Sequence, residues 1–173
     1  FIATVEAILE TGAVPVITEI DKSLNMDPLD LEKKITKKTK AIIPVHMAGV
    51  SAKMDEITKI AEKHNVPVLE DSAQALGATY KGRHLGTIGR AGIYSLDIGK
   101  IITTGEGGIV VTNEKDIYLK AREYSDHGHE QNPNLPRGED TRTSWGFNYK
   151  ATELHGAIGL AQLEKLDYIL NKQ

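Results

Sequence analysis

A lysine and an aspartate carry the most chemical promise among these 173 residues. Lys100 closes the stretch Asp97-Ile98-Gly99-Lys100, just ahead of the glycine-rich run Thr103-Thr104-Gly105-Glu106-Gly107-Gly108. An amine in a tight, glycine-flanked loop against buried strands would be partly desolvated, which lowers an ammonium pKa and frees the amine to attack a carbonyl. Asp71 follows the apolar run Val66-Pro67-Val68-Leu69 and Glu70, which places a carboxylate at the carboxyl end of a strand. His46 falls after another such run, and Ser95 inside a third. Open α/β sheets bind ligands beyond the carboxyl ends of their strands. Spacing alone leaves ordinary alternatives open: Lys100 as a solvated surface residue, Asp71 as the cap of a helix begun by Ser72-Ala73-Gln74-Ala75, Gln74 as an exposed helix residue, and Ser95 as a core hydroxyl bonded to the backbone.

Two apparent motifs carry no chemistry. Gly99-Lys100 is followed by Ile101 rather than a hydroxyl residue, and the glycines come after the lysine, so this is not a phosphate-binding P-loop. Asp126-His127-Gly128-His129-Glu130 has metal-ligating residue types, but no second ligand group stands at a recognisable spacing, and no metal is expected.

The elements that must position these groups follow from periodicity. A helix is predicted to run through Thr4–Glu10 and stop at Gly12, followed by a short buried strand at Val14-Pro15-Val16-Ile17. Asp27-Pro28 opens a second helix, with Asp27 as N-cap, Pro28 at the first helical position, and Leu29, Leu31 and Ile35 as its apolar residues. Lys40–Val45 suits a strand covered on both faces. Met54, Ile57, Ile60 and Ala61 give a helix over 54–64, and Val66–Leu69 a strand. Gly92–Leu96 and Gly108–Thr112 are further strands, with helices at Glu114–Tyr124 and Thr152–Leu170. The alternation argues for an α/β fold with a mostly parallel sheet flanked by helices. The polar stretch 126–142 is long for an irregular segment and is expected to be functional or disordered.

Composition sets the outer limits. At 40% hydrophobic and 26% charged residues, the chain is an ordinary globular sequence. A formal net charge of −3 offers no basic surplus for nucleic acid. There are no cysteines, which excludes disulfides, thiolate metal sites and cysteine nucleophiles and fits a cytoplasmic setting. No apolar run approaches the roughly 18 residues that span a bilayer, and no signal peptide is expected. The chain opens without an initiator methionine, as a piece of something longer would.

Five segments in order resemble the DegT/DnrJ/EryC1/StrS family of pyridoxal-phosphate-dependent sugar aminotransferases. They are Phe1-Ile2-Ala3-Thr4; Thr39-Lys40-Ala41-Ile42-Ile43-Pro44-Val45-His46; Glu70-Asp71-Ser72-Ala73-Gln74-Ala75; Lys100 before Thr103–Gly108; and Gly146-Phe147-Asn148-Tyr149-Lys150 leading into Glu153-Leu154. The resemblance covers essentially the whole chain. It implies the large domain of the fold-type I, aspartate aminotransferase-like fold, truncated at both ends, over residues 1–173. The family's upstream phosphate loop and its C-terminal small domain would lie outside, so these residues alone are expected to bind the cofactor weakly and turn over poorly.

Residue by residue, the resemblance implies that Lys100 forms the Schiff base with pyridoxal 5′-phosphate and then shuttles the proton. Asp71 pairs with the pyridine nitrogen and keeps the ring an electron sink. Gln74 lies near the phenolic oxygen, Ser95 bonds the phosphate, Phe1 stacks on the ring, and Asn148 reaches the phosphate of a neighbouring subunit in a homodimer with shared active sites. The implied reaction moves an amino group from an amino acid donor, glutamate in the first instance, to a keto-sugar carried on a nucleotide. Leu96-Asp97-Ile98 stands where the family often has an aromatic, and Arg90 where an aspartate is common; neither departure removes a catalytic group. Two alternatives stay open: a sugar dehydratase or related enzyme of the same fold, against which Lys100 argues because the dehydratase branch has histidine there, and a cofactor-free remnant.

Overall fold

The computed structural model describes all of residues 1–173. Three α-helices precede five consecutive strands and three more helices follow: α1 (Ile2–Glu10), α2 (Pro28–Lys34), a single 3-10 turn (Met47–Gly49), α3 (Met54–His64), β1 (Leu69–Asp71), β2 (Thr79–Tyr80), β3 (Arg83–His84), β4 (Ala91–Ser95), β5 (Gly108–Thr112), α4 (Lys115–Tyr124), α5 (Glu153–Leu163) and α6 (Leu166–Leu170). The caps follow local chemistry. Asp27 accepts from the Leu29 amide with Pro28 at the first turn of α2, and Asn65 closes α3 in the left-handed conformation. Thr152 caps α5, and the helix predicted across 152–170 breaks at Glu164-Lys165 into α5 and α6.

The central sheet is mixed. β1 and β4 are parallel, with Asp71 opposite Ile93. β5 runs antiparallel to β4, with Ser95 opposite Gly108. A parallel return would need a crossover, normally a helix; the loop 96–107 contains none, so the chain folds straight back and the mostly parallel expectation fails at this edge.

Residues 42–45 lie along the other side of β1. The Ile42 amide donates to the Pro67 carbonyl and the Leu69 amide to that of Ile42, while the Asp71 amide donates to the Pro44 carbonyl. Pro44 has no N–H, and the predicted Lys40–Val45 strand is reduced to two isolated parallel bridges, Ile42 to Val68 and Val45 to Asp71.

The core packs α2 and α3 against this side of the sheet through Leu31, Ile42, Ala52, Met54, Ile57, Ala61 and Val68. Leu29, expected on the apolar face of α2, is 69% exposed; it lies two residues before the buried Leu31 and therefore faces away from it. The predicted strand at Val14–Ile17 does not form. Val14, Val16 and Ile17 are exposed and no strand pairs with the segment, so its backbone gains nothing from extension. No helix is long and apolar enough to cross a membrane.

Candidate active site

The site is built at the carboxyl end of β1. Asp71, 8% exposed, is pinned by its backbone: its amide donates to the Pro44 carbonyl at 2.9 Å, and its carbonyl accepts from the His46 amide at 3.0 Å. Its carboxylate takes one donor on each oxygen. The Ala73 amide bonds Oδ1 at 3.1 Å and the Thr4 hydroxyl bonds Oδ2 at 2.6 Å. The capping alternative is thus partly realised, because Asp71 does hold the turn that follows it. Ser72-Ala73-Gln74-Ala75 forms turns and no helix.

Lys100 lies in the loop between β4 and β5, where its amide donates to the Asp97 carbonyl at 3.0 Å. It is half-buried. A cleft of about 200 Å³ is lined by Ala73, Gln74, Ser95 and Lys100 among others. Gln74 is oriented there by its Oε1, which accepts from the Ala48 amide at 2.8 Å. The Ser95 hydroxyl oxygen accepts from the Asp97 amide at 3.3 Å, tying the strand end to the lysine loop. The Phe1 ring sits with its centroid 5.8 Å from the Lys100 ammonium nitrogen, within cation–π range.

The first turn of α1 therefore touches both functional groups: Phe1 meets Lys100, and Thr4, one turn later on the same face, meets Asp71. Of the six predicted residues, Gln74, Ser95 and Lys100 share the cleft, Phe1 meets Lys100, and Asp71, which does not line the cleft, is linked to this group through Thr4. Asn148 does not join them. It is exposed and bridges the backbone of Asp126, in the segment that follows α4.

Beneath Asp71 stands a pair that residue spacing only half revealed. His46 Nε2 lies 3.0 Å from Glu70 Oε2, both side chains having no solvent exposure. His46 Nδ1 accepts from the Ala52 amide at 3.2 Å, so Nε2 carries the proton and donates to Glu70. Glu70 also accepts from the amides of Gly86 at 2.8 Å and Gly89 at 2.6 Å, and from Ile88. Burial pushes the Glu70 carboxyl up, but His46 and the three amides outweigh it and hold the group below the usual carboxylate value. A charged residue beside Asp71 at the end of an apolar run was the available signal. Thr4 gave none, since a helical threonine is unremarkable in sequence.

The segment 126–142, expected to be functional or disordered, is ordered around Asp126. This buried carboxylate receives both Arg137 guanidinium nitrogens, at 2.7 and 2.6 Å, and the Lys150 ammonium at 2.6 Å. Arg90, the departure from the family pattern, pairs with Glu114 just before α4, its Nε 2.6 Å from Oε1.

The donor set fits pyridoxal 5′-phosphate: a lysine amine and a hydroxyl on one cleft, and a strand-end carboxylate whose two oxygens each keep a lone pair.

The backbone superposes on that of PseC from Helicobacter pylori, an aminotransferase involved in the biosynthesis of pseudoaminic acid, with a TM-score of 0.91 and 37% identity, over 97% of this chain and 44% of that one. The fold is that of the fold-type I aminotransferases. Residues 1–173 match the model of the DegT/DnrJ/EryC1/StrS aminotransferase family, and the chain belongs to that family. It is 42% identical to the GDP-perosamine synthase of Caulobacter vibrioides, over 96% of this chain and 44% of that protein. It is 36% identical to the UDP-4-amino-4,6-dideoxy-N-acetyl-beta-L-altrosamine transaminase of Helicobacter pylori, over all of this chain and 45% of that protein. The chain thus spans less than half the length of the relatives it matches.

Proposed function

We propose that residues 1–173 are the cofactor-holding large domain of a pyridoxal-phosphate-dependent aminotransferase that passes an amino group from an amino acid, glutamate in the first instance, to a nucleotide-linked keto-sugar. The observation that carries this reading is the first turn of α1, which contacts Lys100 through Phe1 and Asp71 through Thr4. Family membership and relatives named for GDP- and UDP-linked amino sugars support the sugar substrate.

Pyridoxal 5′-phosphate, when bound, supplies an aldehyde that takes up the amino group and a ring that draws electrons from the adjacent carbon. Lys100 would hold the aldehyde carbon and, once released, move a proton to and from the substrate carbon. Asp71 would hold a proton at the ring nitrogen. Its two protein donors hold the carboxylate in place for that task. Ser95 would bind a phosphate oxygen, Gln74 would orient the phenolic oxygen, and Phe1 would exclude water from one ring face. Asn148, exposed and away from the cleft, would serve the active site of a second subunit in a cytoplasmic homodimer. Uncovered side chains such as Trp145 at 70%, Leu154 at 76% and Tyr168 at 68% exposure support such a partner.

The test is a titration with pyridoxal 5′-phosphate followed by absorbance. A near-ultraviolet or visible band that borohydride fixes covalently, and that Lys100→Ala abolishes while the far-ultraviolet circular dichroism is retained, supports the reading. No band from the folded wild-type protein overturns it. Mass detection of amine transfer from glutamate to GDP- and UDP-linked keto-sugars then tests the substrate class.

A further inference from the structure

We propose that Thr4 is a positioning residue for the Asp71 carboxylate, fixing the orientation in which that group meets the ring nitrogen of pyridoxal 5′-phosphate; this rests on the cofactor reading above.

The geometry is specific. Thr4 is the third residue of α1, and its hydroxyl is given to a carboxylate 67 residues further along the chain, at 2.6 Å. The backbone of Asp71 is already immobilised by Pro44 and His46, so the remaining freedom lies in its two side-chain torsions. The Ala73 amide holds one oxygen and Thr4 the other. Without Thr4 the carboxylate keeps a single tether and can swing about it.

The second consequence concerns the acceptor positions that remain. Each oxygen carries one protein donor and retains a lone pair for the ligand. Because Thr4 and Phe1 share one face of α1, the placement of this helix sets the aspartate and the environment of Lys100 together.

The experiment compares two ligands on one protein: pyridoxal 5′-phosphate, and its 1-deaza analogue, in which the ring nitrogen is replaced by carbon and cannot bond Asp71. Dissociation constants come from absorbance titration of wild type, Thr4→Val and Thr4→Ser. Thr4→Val is expected to weaken the natural cofactor by about tenfold or more, the scale of one hydrogen bond to a charged group. The same variant is expected to change the deaza analogue by less than about twofold, and Thr4→Ser to restore the natural cofactor to within about threefold of wild type. Equal losses for both ligands in Thr4→Val, or no loss for either, overturn the proposal, the former because the threonine then merely supports the fold. The ratio is internal to each variant, so a general loss of stability does not imitate it. A wild-type protein that binds both ligands equally tightly shows that Asp71 does not meet the ring nitrogen, and overturns the assignment of Asp71 itself.

Discussion

His46 and Glu70 form a fully buried pair, 3.0 Å apart, directly behind the carboxylate assigned to the cofactor. Glu70 is the hub. One carboxylate gathers a histidine N–H and three backbone amides of the 86–89 loop, and so ties β1 to the loop that leads into β4. The neighbouring Asp71 inherits this rigidity through the main chain.

Replacing Glu70 by Gln keeps the shape and removes the charge. Four donors converge on the two oxygens, so a glutamine must set its own NH2 against at least one of them. A buried donor left without an acceptor costs about 1–3 kcal/mol, more at a charged site. Urea unfolding of Glu70→Gln is expected to show a loss of about 3 kcal/mol. A loss under about 0.5 kcal/mol, the range of ordinary surface changes, would show that the hub contributes nothing.

The same carboxyl gives a pH signature. Its pKa in the folded chain lies below the ordinary 4.5, so the unfolded chain binds its proton first as pH falls. The stabilisation is then fully present above about pH 4.5 and is lost as the pH drops through the lower folded value. Urea midpoints measured from pH 7 downward are expected to fall below about pH 4.5 in wild type and to fall less steeply in Glu70→Gln. Parallel acid limbs in the two proteins would assign the acid sensitivity to other carboxylates, such as Asp126 and Asp140, which are also lowered.

Gly92 sits in β4 directly beneath the loop that Glu70 holds. A Cβ at this position would fall inside the contact distance of the Gly86 carbonyl oxygen, with the Gly86 Cα and carbonyl carbon also in the way. The obstruction is backbone, and that backbone is anchored by the Gly86 amide on Glu70. Gly92→Ala therefore cannot be absorbed by a side-chain rotation, and is expected to cost about 1–3 kcal/mol in urea unfolding. A neutral Gly92→Ala would mean that the 86–89 loop is free to move.

Much of this arrangement is legible in the sequence. Met54, Ile57, Ile60 and Ala61 gave α3 to the residue, and Asp27-Pro28 marked the start of α2, because capping and periodicity are local. The lysine loop is likewise visible, but the strand predicted at Val66–Leu69 is displaced: β1 spans Leu69–Asp71, so Glu70 and Asp71 lie within the strand and not after it. What failed was non-local. Val14–Ile17 has strand composition but no neighbour to pair with, Pro44 breaks the ladder at 42–45, and the reversal of β5 depends on the absence of a crossover helix in 96–107. Thr4 is the clearest case: its hydroxyl matters only because folding brings Asp71 to it.

Asp126 offers a prediction on the segment that carries Asn148. The carboxylate is buried, and the Arg137 guanidinium, with Lys150 and His127 beside it, holds the group far below the usual carboxylate range despite that burial. Arg137 closes the 126–142 segment from one side and Lys150 fastens the stretch that contains Asn148 from the other. An asparagine at 126 would keep one acceptor oxygen and present an NH2 to the two cations, so at least one must let go. The Arg137 side chain is 58% exposed even while paired, which makes it accessible to trypsin once it detaches. Local opening free energies decide such cleavage when reclosing is fast. Asp126→Asn is expected to be cut after Arg137 about tenfold faster than wild type, the effect of about 1.4 kcal/mol in the opening equilibrium, while the α2–α3 core stays intact. If the cleavage rate is unchanged, the segment is held by the Tyr124, Phe147 and Tyr149 ring contacts instead, and the carboxylate hub is incidental to the placement of Asn148.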